Sequence, residues 1–418
     1  MIQQDTNIEG QQYYCRVFID NIELISSLIH SLSIREFIFD TALELDLEFI
    51  DNGTFVEISP IVDGSVMRVV LAKDREENPM EIEFDILNTK VAKQNSPGNS
   101  IYFVSLVAIQ KSDYMLGEVS QKYYQGPSSQ VIGEVVSKNK QLTYVEDVTS
   151  NDSQIWYQIS VNDSNFIKHI LERAFYQEQD SPIIYATKNN TFHYTTLKTK
   201  CSQKTKFVAI NNDMLAMDAG NQNVVLQSII KEKDRNKTLF FKSDYTFNDN
   251  MPIENRTGGY GFDFTYFDAT DFKDHVITFN YAPFTNTINK RQNPGKLYDS
   301  ITYNMQNSNV HDNYLLAYNQ NKYLKKNIFS YYTTITIAPN LNVQLMDKIN
   351  VSFIKQYDIE TKTVGIDDIH SGEYLVGGIY HNVHKGGFYT MILILFRNGF
   401  NLKENPVIQN NKLIKVKK

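Results

Sequence analysis

Cysteine is nearly absent: the chain has two in 418 residues, Cys15 and Cys201. Two thiols so far apart make neither a disulfide framework nor a cysteine zinc site, and they are expected as buried thiols of a protein made in a reducing cytoplasm. Long apolar runs are missing too. The longest, residues 388–396 (FYTMILILF), has nine residues, about half of what a membrane-spanning helix needs, so no stable membrane insertion is expected. The N-terminal MIQQDTNIEGQQ has neither the basic nor the apolar region of a signal peptide. Basic charge is also in short supply, with Lys+Arg at 41 against Asp+Glu at 48 and a formal charge of −7. The two signs are interspersed, so no surface for gripping phosphates is advertised. Only the tail, residues 403–418 ending NNKLIKVKK, is basic, and it reads as a solvated end.

What is abundant is aromatic: 26 Tyr and 25 Phe against one Trp. Together with many Thr, Ile and Val, that bias favours strands over helices. Hydrophobic residues at 42% and charged residues at 21% describe a globular protein long enough for two to four domains.

Residues 13–110 read as six strands: YYCRVFID, FIFDTALELDLEFI, FVEISPIV, SVMRVVLA, MEIEFDIL and SIYFVSLVAI. Within the second, Leu43, Leu45, Leu47 and Phe49 alternate with Glu44, Asp46 and Glu48, the period of a half-buried strand. Turn residues separate the runs at 51–53, 60–64 and 96–99. From residue 111 the pattern changes. GPSSQVIGEVVSK (126–138) offers a serine N-cap before an apolar-periodic run, and DSNFIKHILERAFY (163–176) puts Phe166, Ile167, Ile170, Leu171, Ala174 and Phe175 on one helical stripe. PIIYATKNNTFHYTTL then reads as a hairpin with Asn189 and Asn190 in a tight type I′ turn. Strands return at FVAINNDMLAM and VVLQSIIKEKD, and an aromatic, Asn-rich stretch interrupts them from about 240 to 310. They resume, after a helix over 311–328, with SYYTTITI and KINVSFIK.

The expected fold is therefore mainly β with α+β parts. It has two antiparallel, tube-like β-barrels (1–110, and 206–240 with 325–402), a mixed α+β domain (111–205) and an insertion (241–324) that splits the second barrel. The two barrels read as copies of one kind of domain, without a residue-level repeat.

Residues 374–400, YLVGGIYHNVHKGGFYTMILILFRNGF, raise a question about burial. Strand alternation sends Phe388, Thr390, Ile392, Ile394 and Phe396 one way and Tyr389, Met391, Leu393, Leu395 and Arg397 the other. Neither set is polar, so one side is expected in the core and the other against a second domain or a second copy. Tyr389, Met391, Leu393 and Leu395 are the candidate oligomer interface.

Chemistry is harder to find. His381 and His384 in HNVH sit three apart, on opposite faces of a strand, so they cannot share a metal as a helical HExxH pair does. The run GGYGFDFTYFDATDFKD (258–274) holds Asp263, Asp268, Asp271 and Asp274 with three glycines. Paired carboxylates can cleave glycosidic bonds, but Asp and Gly are also ordinary turn residues. The favoured reading is an aromatic contact loop for a partner, with Tyr260, Phe262 and Phe264 as anchors. No nucleophile elbow or phosphate loop is present. Catalytic residues, metal and cofactors are all expected to be none. Tyr314, Tyr318 and Tyr323 read as core.

The order of segments resembles the baseplate central hub proteins of contractile-tailed bacteriophages. The stretch LSIREFIFDTALELDLEFIDN is similar to the first long strand pair of that family. IWYQISVNDSNFIKHILERAFYQEQDSPIIYATKNNTFHYTTL is similar to its Trp-containing segment, helix and hairpin. The closing helix 311–328, YTTITIAPNLNVQLMDKINVSF and SGEYLVGGIYHNVHKGGFYTMILILFRNG match the order in which the family completes its second barrel. The resemblance implies a structural, non-enzymatic virion protein: a homotrimer whose six barrels match the sixfold tail tube, with a collar for the central spike protein. Tail tube, wedge and tape-measure proteins are the further partners it implies, and DNA only passes through the lumen. A carbohydrate hydrolase and a receptor-binding adhesin are the competing classes.

Overall fold

The structure is a computed structural model and describes residues 13–73, 79–96, 99–111, 119–211, 237–249, 261–268, 272–280, 298–303, 311–329, 331–354, 366–367, 369–385 and 388–397. The first strands are β1 (Tyr13–Ile19), β2 (Ile22–Leu24), β3 (Ile29–Phe37), β4 (Glu44–Asp51), β5 (Val66–Lys73), β6 (Met80–Ser96) and β7 (Asn99–Gln110). Alternation explains their burial. Leu45, Leu47 and Phe49 are at most 1% exposed, while Glu44, Asp46 and Glu48 face out.

One expected strand is absent. FVEISPIV begins with a π-helical turn, Thr54–Ile58. The Asp51 carboxylate accepts from the backbone N–H groups of Gly53, Phe55 and Val56, each at 3.1 Å. That local alternative to a ladder outcompetes strand pairing. Gly53 takes φ +102°, which suits glycine, and the turn drops Phe55 edge-on against Phe49.

Residues 119–202 carry β8 (Val119–Gly126), α1 (Ser128–Val136), β9 (Thr143–Glu146), β10 (Gln154–Asn162), α2 (Asp163–Arg173), β11 (Pro182–Ala186), β12 (Thr191–Thr196) and α3 (Leu197–Ser202). The α2 stripe Phe166, Ile167, Ile170 and Leu171 is buried as its spacing requires, and Asn162 caps the helix through Asn165 N. Helix α1 begins differently from the sequence reading. Pro127 is the N-cap residue, and Ser128 and Ser129 lie in the first turn, buried and bonded to Asp152 and Ser150. The β11–β12 turn also differs from the expected type I′, because only Asn190 takes positive φ (55°) and a four-residue loop closes the hairpin.

The remaining strands are β13 (Phe207–Asn211), β14 (Thr238–Asp249), β15 (Gly261–Asp268), β16 (Lys273–Asn280), β17 (Tyr298–Tyr303), β18 (Tyr331–Ile337), β19 (Lys348–Ser352), β20 (Gly372–His384) and β21 (Phe388–Arg397), with α4 (Tyr314–Asn327) before β18. Strands β13, β14, β18, β21, β20 and β19 close a six-stranded barrel through the β19–β20 pairing. It is not wholly antiparallel, since β13 runs parallel to both β14 and β19. Strands β3, β4, β7, β6, β5, β1 and β2 form the first set, which shows no hydrogen-bonded closure among the described residues. The sequence run VVLQSIIKEKD lies outside the described residues.

The two sets repeat one plan. In chain order the first uses β1, β3, β4, β5, β6 and β7, arranged side by side as β3-β4-β7-β6-β5-β1; the second uses β13, β14, β18, β19, β20 and β21, arranged as β14-β18-β21-β20-β19-β13. Position by position the order is identical, and only the leading strand differs in direction, β1 being antiparallel to β5 where β13 is parallel to β19. Residues between β14 and β18, including β15–β17 and α4, occupy the place of the tight β3–β4 turn. The two sets meet edge to edge: β20 pairs antiparallel with β3, from Gly378↔Phe37 to His384↔Ser31.

Gly377 and Gly378 permit that junction. A Cβ on Gly378 would lie 2.7 Å from the Phe37 ring, and one on Gly377 would lie 2.6 Å from the Phe329 ring. The bulge between Val376 and Gly378 brings these rings across the strand, where Phe37 stacks on Phe329 at 5.1 Å. Gly378→Ala is expected to lose about 1–3 kcal/mol through overpacking, read as a lower urea midpoint with an unchanged slope.

Candidate functional site

The residues nominated as an oligomer interface are core residues. Met391, Leu393 and Leu395 are 0% exposed and Tyr389 8% within the single chain. The half-buried face of β21 is the other one, with Thr390, Ile392 and Ile394. A charge is normally a mark of solvent, and Arg397 belongs to the same set as Met391, Leu393 and Leu395. Here its guanidinium is buried at the strand end, over the Tyr374 ring at 4.4 Å and the Tyr331 ring at 5.1 Å. It donates to the carbonyls of Ile369 (2.7 Å) and Ser371 (3.1 Å). Phe396 is buried by Phe329, so the chain itself covers that end of the outer face.

His381 and His384 split as strand geometry demands: the first is 1% exposed and the second is on the surface. His381, expected near an exposed turn, instead belongs to a buried polar knot. Its Nε2 lies 2.8 Å from Glu36 Oε1 and its Nδ1 lies 2.7 Å from the Tyr389 hydroxyl. Lys188, from the loop between β11 and β12, completes the group. Its backbone N–H donates to Glu36 Oε2 at 3.0 Å, while its ammonium lies 3.4 Å from Glu36 Oε1 and donates to the Val343 carbonyl at 2.6 Å. Glu36, Lys188 and His381 are each about 1% exposed.

The electrostatics are consistent with one negative and one positive charge. Burial alone would raise the Glu36 carboxyl, but the Lys188 charge and the hydrogen bond from His381 hold it below the ordinary carboxylate range. Burial pushes His381 below its ordinary 6.5. A neutral His381 donating from Nε2 to Glu36 and accepting from Tyr389 at Nδ1 satisfies all partners. The knot ties three places in the chain together: β3 of the first set, β20–β21 and the β18–β19 connection of the second, and the β11–β12 hairpin. It has no open position for a substrate, so its role is to lock these elements.

The nominated contact loop is not a loop where it is described. Residues 261–268 are strand β15, paired antiparallel with β16 from Gly261↔Asn280 to Asp268↔Lys273, and β17 lies on its other side. Phe262, Phe264, Asp263 and Asp268 are therefore strand positions, and Asp274 is exposed on β16. Tyr260 and Asp271 lie outside the described residues. Among the described residues no group of three or more His, Cys, Asp or Glu could hold a metal ion. Cys15 and Cys201 are free and half-buried, and burial pushes both thiols up to about 12. Tyr314 and Tyr318 are half-buried on α4, and the side chain of Tyr323 lies outside the described residues. The helix docks through polar groups that the apolar-stripe criterion missed. Asn321 donates to the Ala174 carbonyl at 2.6 Å, and Gln320 accepts from Gln179 N at 2.7 Å.

What the topology presents to the outside is a broad surface. Strands β14-β18-β21-β20-β3-β4-β7-β6 form one continuous antiparallel run of eight, four from each set. Its inner face is the core. Its outer face carries Thr246, Thr334, Asn382, Ser33, Asp46, Glu48 and Ser105, with Ser33 bonded to Asn382 across the junction at 2.8 Å. Arg35, the positive charge on β3, is tied to Glu44 at 2.5 Å.

No family model and no curated protein matches the sequence. Solved structures do match the fold. A tail protein from Neisseria meningitidis MC58 superimposes with a TM-score of 0.54 at 11% identity, over 93% of this chain and 98% of the other. The 43 kDa tail protein of prophage MuSo2 from Shewanella oneidensis gives 0.54 at 9% identity, over 93% and 99%. The E. coli c3393 protein, described as a component of the type VI secretion system with structural similarity to T4 bacteriophage tail proteins gp27 and gp5, overlaps more loosely, at 0.46 and 8% identity over 91% and 76%. The chain thus shares the fold of two tail proteins over nearly their whole length.

Proposed function

We propose that the chain is a structural component of a phage-type tail: a hub ring at the baseplate that joins a sixfold tail tube to a threefold central spike and forms part of the DNA passage. The observation that carries this reading is the repeated strand order. One chain holds two units of the same plan, joined edge to edge by β3–β20. Three chains therefore supply six such units to a sixfold tube while keeping the threefold symmetry that a trimeric spike needs. The fold shared with tail proteins supports the same assignment.

In such a ring the second layer of each unit, β5 with β1 and β19 with β13, lies on the core side of the eight-stranded run, so closure turns the thin outer face inward. That face is mixed, with Glu44, Asp46 and Glu48 exposed along β4 and Phe103 and Val107 exposed beside them on β7. Acidic and neutral groups let a polyanion slide, whereas a basic wall would retain it by counterion release. Residues 111–205 and 241–324 would form the collar toward the spike, and wedge and tape-measure proteins are further neighbours of such a hub. The role is architectural and non-enzymatic, in a virion tail.

Light scattering on the purified chain, with and without its spike partner, is expected to give a mass three times 48.3 kDa, and images are expected to show a ring with a central hole. A chain that stays monomeric in both conditions overturns the reading. So does turnover of peptidoglycan or polysaccharide that Asp263→Asn or Asp268→Asn abolishes, which would put the hydrolase in its place.

A further inference from the structure

We infer that Asn52–Gly53 is a self-modifying site held shut by the turn around Asp51. While the turn stands, Asn52 keeps its side-chain amide. When it opens, the Gly53 nitrogen displaces that amide, and the product cannot rebuild the turn.

Asn52 lies exposed between β4 and the π-helical turn, directly before a glycine. Glycine has no Cβ to shield its own nitrogen, so that nitrogen, once deprotonated, can reach the side chain of the residue before it. The steps balance without an oxidant or a cofactor. The Gly53 N–H gives its proton to hydroxide, and the nitrogen bonds to Cγ of Asn52. The C–N bond of the side-chain amide then breaks, and ammonia leaves with a proton returned by water, which closes a five-membered cyclic imide. Water adds to one of the two imide carbonyls. Opening at one carbonyl restores the main chain with a carboxylate on the side chain at position 52. Opening at the other leaves an isoaspartyl linkage, in which the main chain runs through the former side chain and is one carbon longer.

In the folded chain the restraint falls on the nitrogen, not on access for water. Gly53 N–H donates to Asp51 Oδ2 at 3.1 Å. Taking that proton would set an amide anion against a carboxylate that is 1% exposed, and like charges so close and so poorly solvated oppose each other strongly. Nor is the nitrogen free to turn toward Asn52. The same Oδ2 accepts from Phe55 N and Val56 N at 3.1 Å each, while the Gly53 carbonyl accepts from Glu57 N at 2.9 Å and Ile58 N at 3.0 Å. The N–H and the carbonyl of Gly53 are thus both held, at φ +102°. At its other end the turn is fastened by Tyr102 of β7, whose hydroxyl donates to the Glu57 carboxylate.

The isoaspartyl product undoes this arrangement. It places an extra main-chain carbon between Asp51 and Gly53 and a second carboxylate beside the first, so one oxygen no longer gathers three N–H groups. Phe55, 5% exposed and edge-on to Phe49 at 5.7 Å, is placed by that turn. Opening followed by modification is therefore irreversible, and its effect reaches the core of the first set.

The test follows the tryptic peptide 36–68 by mass spectrometry after incubation of the full chain in mildly alkaline buffer. That peptide runs from the residue after Arg35 to Arg68, and Asn52 is its only asparagine or glutamine, so any replacement of amide by acid within it is at Asn52. Conversion in the folded chain is expected to be at least about tenfold slower than in urea, tenfold corresponding to about 1.4 kcal/mol of turn opening. Equal rates in the two conditions overturn the inference. Asp51→Ala, shown to be folded by circular dichroism, is expected to convert faster than wild type, toward the rate in urea; a folded variant as slow as wild type shows that Asp51 is not the restraint. Should Asp51→Ala not fold, hydrogen exchange on the wild type decides. The Gly53 amide is expected to be protected by about the factor that slows conversion, and an unprotected amide counts against the restraint. Chains carrying the isoaspartyl linkage, separated from unmodified ones, are expected to have a lower urea midpoint, and a midpoint equal to wild type removes the claim that the product cannot rebuild the turn.

Discussion

Leu393→Lys is expected to leave no folded protein, while Ile392→Lys, one residue away, leaves the fold and the ring mass unchanged. Leu393 is fully buried on the inner face of β21, opposite Ile335 of β18 and Ile379 of β20. The carboxylate in the same cross-strand row, Glu36, is already held by Lys188 and His381, so an ammonium there must either carry its charge into the core or lose its proton, on top of the lost packing. Losses of this kind exceed about 4–5 kcal/mol, comparable with the whole stability of a domain. Ile392 sits half-exposed on the outer face between Tyr380 and Thr336, where a lysine can extend into solvent. Circular dichroism and light scattering on both variants decide the matter. A folded Leu393→Lys monomer would mean that the inner face is exposed, and a monomeric Ile392→Lys would mean that the outer face is buried between copies and not turned to a passage.

That contrast shows where the sequence was legible. The alternation in FYTMILILF separates two faces correctly, but both sets are apolar, and only the neighbours of the strand say which is inside. Arg397, the charge that ends the strand, gives no guide either, since nothing local predicts a guanidinium held over Tyr331 and Tyr374 by two carbonyls. Long regular signals held up: the strand pair around Leu45 and Leu47, the α2 stripe, and the mainly β character. Short-range chemistry did not, as the Asp51 turn and the Asp- and Phe-rich strand β15 show. The duplication of strand order had been expected only in outline. The two sets share no residue pattern, because barrel positions tolerate many apolar substitutions that conserve volume and patterning, and connection order leaves no mark in composition. The polar knot was invisible for a different reason. Glu36, Lys188 and His381 are each ordinary in their local context and become notable only when the hairpin and the two β sets are brought together.

Lys188→Met is therefore the variant with the widest consequence, and it is expected to cost about 3–5 kcal/mol, because removing one member of a buried ion pair leaves the other charged and unpaired. Adding Glu36→Gln should recover part of that loss, since Gln removes the orphaned charge and keeps an acceptor for His381; a double variant no better than the single would mean that the two side chains are not coupled. The same knot sets a direction for pH. Glu36 is held below its ordinary 4.5, so its contribution is complete above 4.5 and is lost as pH falls through its lowered value. His381, pushed below 6.5 by burial, binds its proton more readily in the unfolded chain, so its contribution is present above 6.5 and is lost as pH falls below it. Burial pushes His193 and His311 the same way. Stability of the wild-type chain should thus decline from pH 6.5 downward as these three imidazoles are drawn toward their protonated, unfolded form. In His381→Gln the urea midpoint at pH 8 should be lower and its fall between pH 6.5 and 5 shallower, though not abolished, because His193 and His311 still contribute. A slope identical to wild type would show that His381 is already protonated in the folded protein, with the knot carrying one more positive charge than the geometry assigns it.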